Sequence, residues 1–133
     1  SRWKNRPVIL DEWFSMQAST PGPDSLMRVS ELLEHPRLDL MAPNAIRAVL
    51  GGFIANKPAF HASDGSGYEF MVDQLISLDQ RNPITASRMI KVFSRWESYI
   101  AINREAMLGQ VLRLSKSNLS TNSREMVDLI IAT

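Results

Sequence analysis

The sequence predicts an all-α protein built from about seven helices. Apolar residues recur every three or four positions, the spacing that places them on one face of a helix. Residues that favour helix starts, such as Asn82-Pro83, stand between these periodic segments. No segment shows a sustained alternation of apolar and polar residues, so strands are not expected. The helices should pack as antiparallel neighbours in an irregular, solenoid-like stack, with a closed bundle as the alternative.

Prolines delimit the first two predicted helices. The first can begin at Pro7 and should end near Ala18, because Thr20-Pro21-Gly22-Pro23 breaks helices. Asp24 or Ser25 can cap the second helix, and His35-Pro36 should end it.

A loop anchored by Leu38 and Leu40 should lead to the third helix, which Pro43 opens. The pair Gly51-Gly52 lies inside the helix, where each glycine costs about 1 kcal/mol relative to alanine. We therefore expect a neighbouring helix to approach closely at these glycines.

The middle of the chain combines a short turn with a predicted helix cap. Residues 58–62 are expected to form one short turn, and Asp64-Gly65-Ser66-Gly67 a second, glycine-permitted one. Ser66 and Glu69 have the spacing of a capping box, which predicts that a helix starts there. Replacing Ser66 by alanine should then cost about 1 kcal/mol.

Three further helices complete the prediction. Asn82-Pro83 should start a helix that runs to about Tyr99. Asn103 is expected to cap the next helix, and Ser120 or Thr121 to start the last one.

Composition indicates a globular protein with little net charge. The 133 residues are 44% apolar and 22% charged, and we expect them to form a single domain. The net charge of +1 gives no general attraction to nucleic acid or to an anionic membrane. No apolar run approaches the roughly 18 residues of a membrane helix. The N-terminal stretch is too short for a signal peptide, so a cytoplasmic location is expected.

Residues that could carry chemistry are few. There is no cysteine, and the two histidines, His35 and His61, lie outside any metal-binding motif. We expect His35 to have a structural or solvent-exposed role, and His61 to make a hydrogen bond that fixes the nearby turn. The turn at residues 64–67 lacks the lysine of a phosphate-binding loop. The isolated chain is thus expected to have no catalytic residue, no metal site and no cofactor.

A basic stripe is the sharpest polar feature. Arg88, Lys91 and Arg95 follow at spacings of three and four, which would place them on one helix face. This face is either a solvated surface or one that meets anionic groups. Arg88 is singled out because its planar guanidinium suits carboxylate or carbonyl oxygens.

Short motifs along nearly the whole chain resemble the C-terminal end of bacterial aminopeptidase N, a zinc metallopeptidase of the alanyl aminopeptidase type. They are Asp11, Trp13-Phe14, Gln17-Ala18, His35-Pro36, Pro43-Asn44, Ile46-Arg47, Gly51-x-Phe53, Ala59-Phe60-His61-Ala62, Asp64-Gly65-Ser66-Gly67-Tyr68, Asn82-Pro83 and Ala86-Ser87-Arg88. The run from Phe60 to Tyr68 is the most specific of them. After Tyr99 the resemblance is poor.

This resemblance implies that the chain is the terminal part of the family's C-terminal helical domain. In that family, the domain is a helical superhelix that closes a substrate chamber over a zinc-bearing catalytic domain. The family's Gly-Ala-Met-Glu-Asn and His-Glu-x-x-His motifs belong to earlier domains and do not occur in this sequence. The implied partners are the other domains of the same polypeptide and a peptide substrate, with no nucleic acid and no membrane.

The resemblance also assigns two residues to the chamber wall. The arginine of Asn-Pro-x-x-Ala-Ser-Arg lines the chamber in the family, and it corresponds to Arg88. The residue four positions earlier is often polar in the family and is Ile84 here, which implies a more apolar wall. Two other hypotheses remain. One is an independent helical scaffold for protein–protein interaction, and the other, much weaker, is an anion- or nucleic-acid-binding module that uses Arg81 to Arg95. A His-Glu-x-x-His helix several hundred residues upstream would favour the peptidase.

Overall fold

The computed structural model describes residues 7–38 and 42–132, and in this part of the chain all regular structure is helical. The chain divides into two compact units, Ser1–Phe60 and His61–Thr133. Leu40, a predicted loop anchor, lies outside the described residues, whereas the other anchor, Leu38, is buried.

Four α-helices form the first unit: α1 (Pro7–Ser19), α2 (Ser25–Leu33), α3 (Pro43–Ala55) and the single turn α4 (Lys57–Phe60). The predicted starts at Pro7 and Pro43 are confirmed. Asp24 occupies the cap position of α2 without a side-chain hydrogen bond, and Ala42 likewise leaves α3 uncapped. α2 and α3 thus begin without help from a side-chain cap.

The core of the first unit forms where α1 packs on α3. Phe14 and Ala18 of α1 are buried, as is Phe53 of α3. Gly52 permits the close approach that the sequence predicts. A Cβ atom at this position would lie 2.6 Å from the Ser15 carbonyl oxygen. Gly51 differs, because a Cβ atom there would have no neighbour within 4 Å.

The second unit contains α5 (Ser66–Arg81), α6 (Pro83–Ile90), α7 (Ala101–Ser115) and α8 (Thr121–Ala132). Two 3₁₀ turns, Lys91–Phe93 and Trp96–Ser98, connect α6 to α7. The core of this unit is apolar and draws on all four helices. Its fully buried members include Tyr68, Met71, Leu75, Ile90, Phe93, Met107, Val111, Leu114 and Val127.

The helix predicted to run from Pro83 to Tyr99 is shorter than expected. It ends at Ile90 and gives way to the 3₁₀ turns. Phe93 is buried against the Tyr68 ring, and the Trp96 indole N–H donates to the Ile130 carbonyl at 3.3 Å. Both aromatic residues thus make tertiary contacts from 3₁₀ turns, where the sequence predicts a continuous α-helix.

Two predicted helix caps are also wrong. α5 begins at Ser66 itself, and Gly65 before it adopts a left-handed conformation with φ of 79°. The acceptor at this end is Asp64, whose Oδ1 takes the Ser66 N–H at 2.9 Å, so there is no Ser66/Glu69 capping box. Asn103 does not cap α7, which begins two residues earlier at Ala101. Its amide is buried and bonds tertiary partners instead.

Candidate functional site

Arg88 and Ile84 are positioned by the short helix α6. Asn82 caps this helix as predicted, because its Oδ1 accepts the Thr85 N–H at 3.2 Å, and Pro83 is the first helical residue. Thr85, Ala86 and Ile90 are buried. Ile84 and Arg88 lie one helical turn apart on an exposed side, where Ile84 is 56% exposed.

Two ion pairs are found among the described residues, and Arg88 takes part in neither of them. The side-chain hydrogen bonds of these residues do not involve its guanidinium either. It stands in the last turn of α6, where the helix dipole favours a cation. The guanidinium is thus available to bind oxygen atoms of another molecule, with Ile84 offering an apolar contact one turn away. The sequence identified both residues, and the structure places them together.

The basic stripe does not lie on one α-helix. Arg88 belongs to α6, whereas Lys91 lies in the first 3₁₀ turn and Arg95 follows that turn. All three are exposed. The prediction that one helix carries all three residues is therefore wrong, because α6 ends at Ile90.

His35 has a structural role, as predicted. Its Nδ1 accepts the Arg37 N–H at 3.0 Å, which closes the turn after α2. The ring packs edge-on against Trp13 and Phe14, with centroids 5.5 and 5.4 Å away. His35 therefore ties the end of α2 to α1.

His61 joins a polar network. The sequence predicts a hydrogen bond from His61 that fixes the nearby turn, and the bond to Tyr68 spans residues 64–67. Its Nδ1 lies 2.6 Å from the Tyr68 hydroxyl, and its backbone carbonyl accepts from Asn103 Nδ2 at 3.0 Å. Asn103 Nδ2 also donates to the Tyr68 hydroxyl at 2.9 Å. The Tyr99 ring stacks on His61 with centroids 4.8 Å apart. The network links the turn before α5 to the first turn of α7.

Tyr68 belongs to the Phe60–Tyr68 run that the sequence analysis identified. Its buried partner Asn103 was not predicted, because an asparagine near a helix start is most simply explained as a helix cap.

Nearby, hydrogen bonds from Ser66 lower the pKa of Asp64. The side chain and the backbone N–H of Ser66 hold the pKa of the exposed Asp64 carboxyl below its ordinary value. Because the pKa of Asp64 is lower in the folded state, its ionised form stabilises this turn at pH values above the ordinary aspartate pKa. This stability is lost as the pH falls through the folded-state pKa.

Burial raises the pKa of Tyr68 above its ordinary value, although the hydrogen bond from Asn103 lowers it in part and Tyr99 raises it further. The buried neutral phenol thus contributes stability that is complete below the ordinary tyrosine pKa and lost as the pH rises through the folded-state value. The chain has two tyrosines, so Tyr99→Phe leaves Tyr68 as the only one. Its phenolate absorbance should then appear only above about pH 10.

Circular dichroism of the same samples provides the check. We expect the loss of helix to accompany Tyr68 ionisation, because a charged phenolate cannot remain buried without cost. In urea, as the control, Tyr68 should titrate at the ordinary value. A titration near pH 10 with the helical signal intact would contradict the buried network.

Within residues 7–38 and 42–132, no three side chains among histidine, cysteine, aspartate and glutamate come together as metal ligands. None of the helices in the described part of the chain combines the length and apolarity that a membrane crossing requires.

Comparison with known proteins first defines the class of fold. The helices belong to the ARM-repeat class, in which helix pairs stack into solenoids. Residues 1–132 match the family described as "Domain of unknown function (DUF3458_C) ARM repeats", and the chain belongs to this family. The predicted all-α, solenoid-like fold class is therefore confirmed.

Relatives of known name confirm the resemblance to aminopeptidase N. The chain is 36% identical over 126 residues to Aminopeptidase N of Caulobacter vibrioides, covering 93% of this chain. It is 38% identical over 133 residues to Aminopeptidase N of Escherichia coli, covering 98% of this chain. In each case it spans 15% of the relative's length, in the C-terminal part.

A solved structure shows the same helical arrangement. Legionella pneumophila aminopeptidase A, crystallised in complex with aspartic acid, matches with a TM-score of 0.92 and 33% identity. The match covers 98% of this chain and 15% of that one. The chain thus corresponds to one helical part of a much longer polypeptide.

Proposed function

We propose that this chain is the non-catalytic C-terminal helical domain of a zinc-dependent aminopeptidase N. The parent enzyme removes N-terminal amino acids from peptides in the cytoplasm, and this domain closes its substrate chamber. The observation that carries the proposal is the match of nearly the whole chain to the C-terminal part of relatives named Aminopeptidase N. The zinc and the catalytic residues belong to earlier domains of the parent.

Within this function, Arg88 and Ile84 form part of the chamber wall. The guanidinium is exposed and pairs with no acidic side chain of the described residues, so it is free to meet substrate oxygens. Its planar donors suit carbonyl and carboxylate groups. Ile84 makes the neighbouring wall apolar.

The zinc dependence is tested on the full-length parent with an alanyl chromogenic substrate. Chelation should abolish turnover, and added zinc should restore it. The isolated chain should neither turn over the substrate nor bind zinc at micromolar concentration. A parent without zinc-dependent hydrolysis would overturn the proposal and leave the helical scaffold as the better hypothesis.

Replacing Arg88 by alanine in the full-length parent should lower kcat/KM about ten- to a hundredfold. This range corresponds to the roughly 1.5–3 kcal/mol of a charge-assisted hydrogen bond. The loss should fall mainly on KM, because the guanidinium acts on substrate binding, remote from the zinc chemistry. Arg88→Lys should recover part of the activity, since it restores the charge without the planar fork.

Arg95→Ala is the matched control, because Arg95 is an exposed arginine outside α6. This variant should retain the parent's kinetics, and both variants should keep the parent's melting temperature. Wild-type kinetics of Arg88→Ala across several peptides would show that Arg88 is only a solvated side chain.

A further inference from the structure

Helix α7 has an exposed face that none of the described residues covers. Its buried side consists of Asn103, Met107, Val111 and Leu114. On the opposite side, Ile102, Glu105, Gly109 and Leu112 follow at spacings of three, four and three and therefore share one face. Ile102 is 54% exposed and Leu112 is 40% exposed. We call these four residues the α7 outer strip.

Gly109 gives this strip its second distinctive feature. A glycine inside a helix is unfavourable relative to alanine, so it needs a compensating contact. At Gly52 that contact is present, because a Cβ atom would collide with the Ser15 carbonyl oxygen. At Gly109 a Cβ atom would have no neighbour within 4 Å. Gly51 has similar open space, but no exposed isoleucine or leucine flanks it as Ile102 and Leu112 flank Gly109.

Isolated apolar residues on a surface are ordinary. The strip differs because two aliphatic side chains stand on either side of a glycine along about 15 Å of one helix face. A partner helix could bury both side chains and approach the α7 backbone at Gly109 between them. Glu105 is the only charged member and lies within reach of solvent at the edge of such a contact.

We infer that the α7 outer strip is a packing surface for a segment of the same polypeptide outside residues 1–133, one that presents an apolar helical face. The inference rests on the proposed function, because the longer parent supplies the segment. This chain spans only 15% of the relatives' length, so most of the parent lies outside it. Helices of ARM-repeat proteins pack on neighbouring helices, which makes a helical partner the natural occupant.

The test uses single cysteines in the full-length parent, followed by maleimide labelling and peptide mass spectrometry. Ile102→Cys and Leu112→Cys should react at least tenfold more slowly than Arg104→Cys, an exposed position on another side of the same helix. After denaturation the three rates should be equal. Equal rates in the native parent would overturn the inference. Protection that disappears when the parent is diluted to a monomer would also overturn it, because the partner would then be a second copy of the parent.

A bulky residue at Gly109 gives an independent readout. Gly109→Trp should lower the melting temperature of the full-length parent by several degrees, whereas Arg104→Trp should leave it unchanged. A Gly109→Trp parent as stable as wild type would contradict the close approach. Because labelling and melting do not depend on turnover, a protected strip in an inactive parent would reject the proposed function and keep this inference.

Discussion

Asp79→Ala should destabilise the protein by about 3–4 kcal/mol, a loss of more than a hundredfold in the folding equilibrium. The carboxylate is 3% exposed on α5. It accepts the Ser120 N–H and the Ser120 hydroxyl, both at 2.7 Å, and the Ser123 hydroxyl at 2.6 Å. Hydrogen bonds to a charged group contribute roughly 1.5–3 kcal/mol each, and their loss would leave buried donors unpaired.

The position of Asp79 explains why the effect should be large. Ser120 precedes α8 and caps it, because its hydroxyl accepts the Ser123 N–H at 3.2 Å. Asp79 holds this cap and places a negative charge near the start of the helix, where the dipole favours it. The side chain thus connects α5 to the N-terminus of α8.

Urea denaturation followed by circular dichroism measures this effect. Asp79→Asn should recover about half of the loss, since its one amide oxygen can still accept hydrogen bonds. Asp128→Ala, at an exposed aspartate of α8, is the control and should change stability by less than about 0.5 kcal/mol. An Asp79→Ala variant as stable as this control would show that the cluster contributes nothing.

Gly52→Ala should destabilise the protein by about 2–3 kcal/mol, although alanine is the better helix former. The new Cβ atom would lie 2.6 Å from the Ser15 carbonyl oxygen and 2.8 Å from the Ala18 Cβ. The first of these atoms belongs to the backbone of α1, so relief requires the two helices to separate. Separation would loosen the core that Phe14 and Phe53 share.

The adjacent glycine provides the matched control. Gly51→Ala adds the same methyl group to open space and should stabilise the protein by about 0.5–1 kcal/mol. Thermal and urea denaturation of the two variants should therefore show shifts of opposite sign. Shifts of the same sign and size would mean that helix propensity, and not the contact with α1, controls this site.

Local signals predicted the helix limits well. Pro7, Pro43 and Asn82-Pro83 begin helices as expected, and Ser120 caps the last one. These signals work because the missing N–H of proline and the side-chain oxygens of asparagine and serine act on the nearest backbone groups. The same local rules failed at Ser66 and Asn103.

At Asn103 the cause is competition from groups distant in sequence, whereas at Ser66 the nearby Asp64 accepts the Ser66 N–H. Asn103 could cap a helix, but its amide bonds Tyr68 and the His61 carbonyl, 42 positions away. The α-helix from Pro83 stops at Ile90, and Phe93 and Trp96 in the following 3₁₀ turns contact Tyr68 and the Ile130 carbonyl. Periodicity alone could not show this change.

The single domain predicted for residues 1–133 and the roles of Arg88 and Ile84 stay predictions.

The sequence by itself determined the all-α class, most of the positions where helices begin and the resemblance to aminopeptidase N, because each depends on residue type and spacing. Only the tertiary structure decided which polar groups meet: Asp79 with the start of α8, His61 with Tyr68 and Asn103. Only the tertiary structure also distinguished Gly52, which α1 needs, from Gly51, which has open space. The physical reason is that buried hydrogen bonds and close backbone contacts depend on distances between helices, which no local pattern encodes.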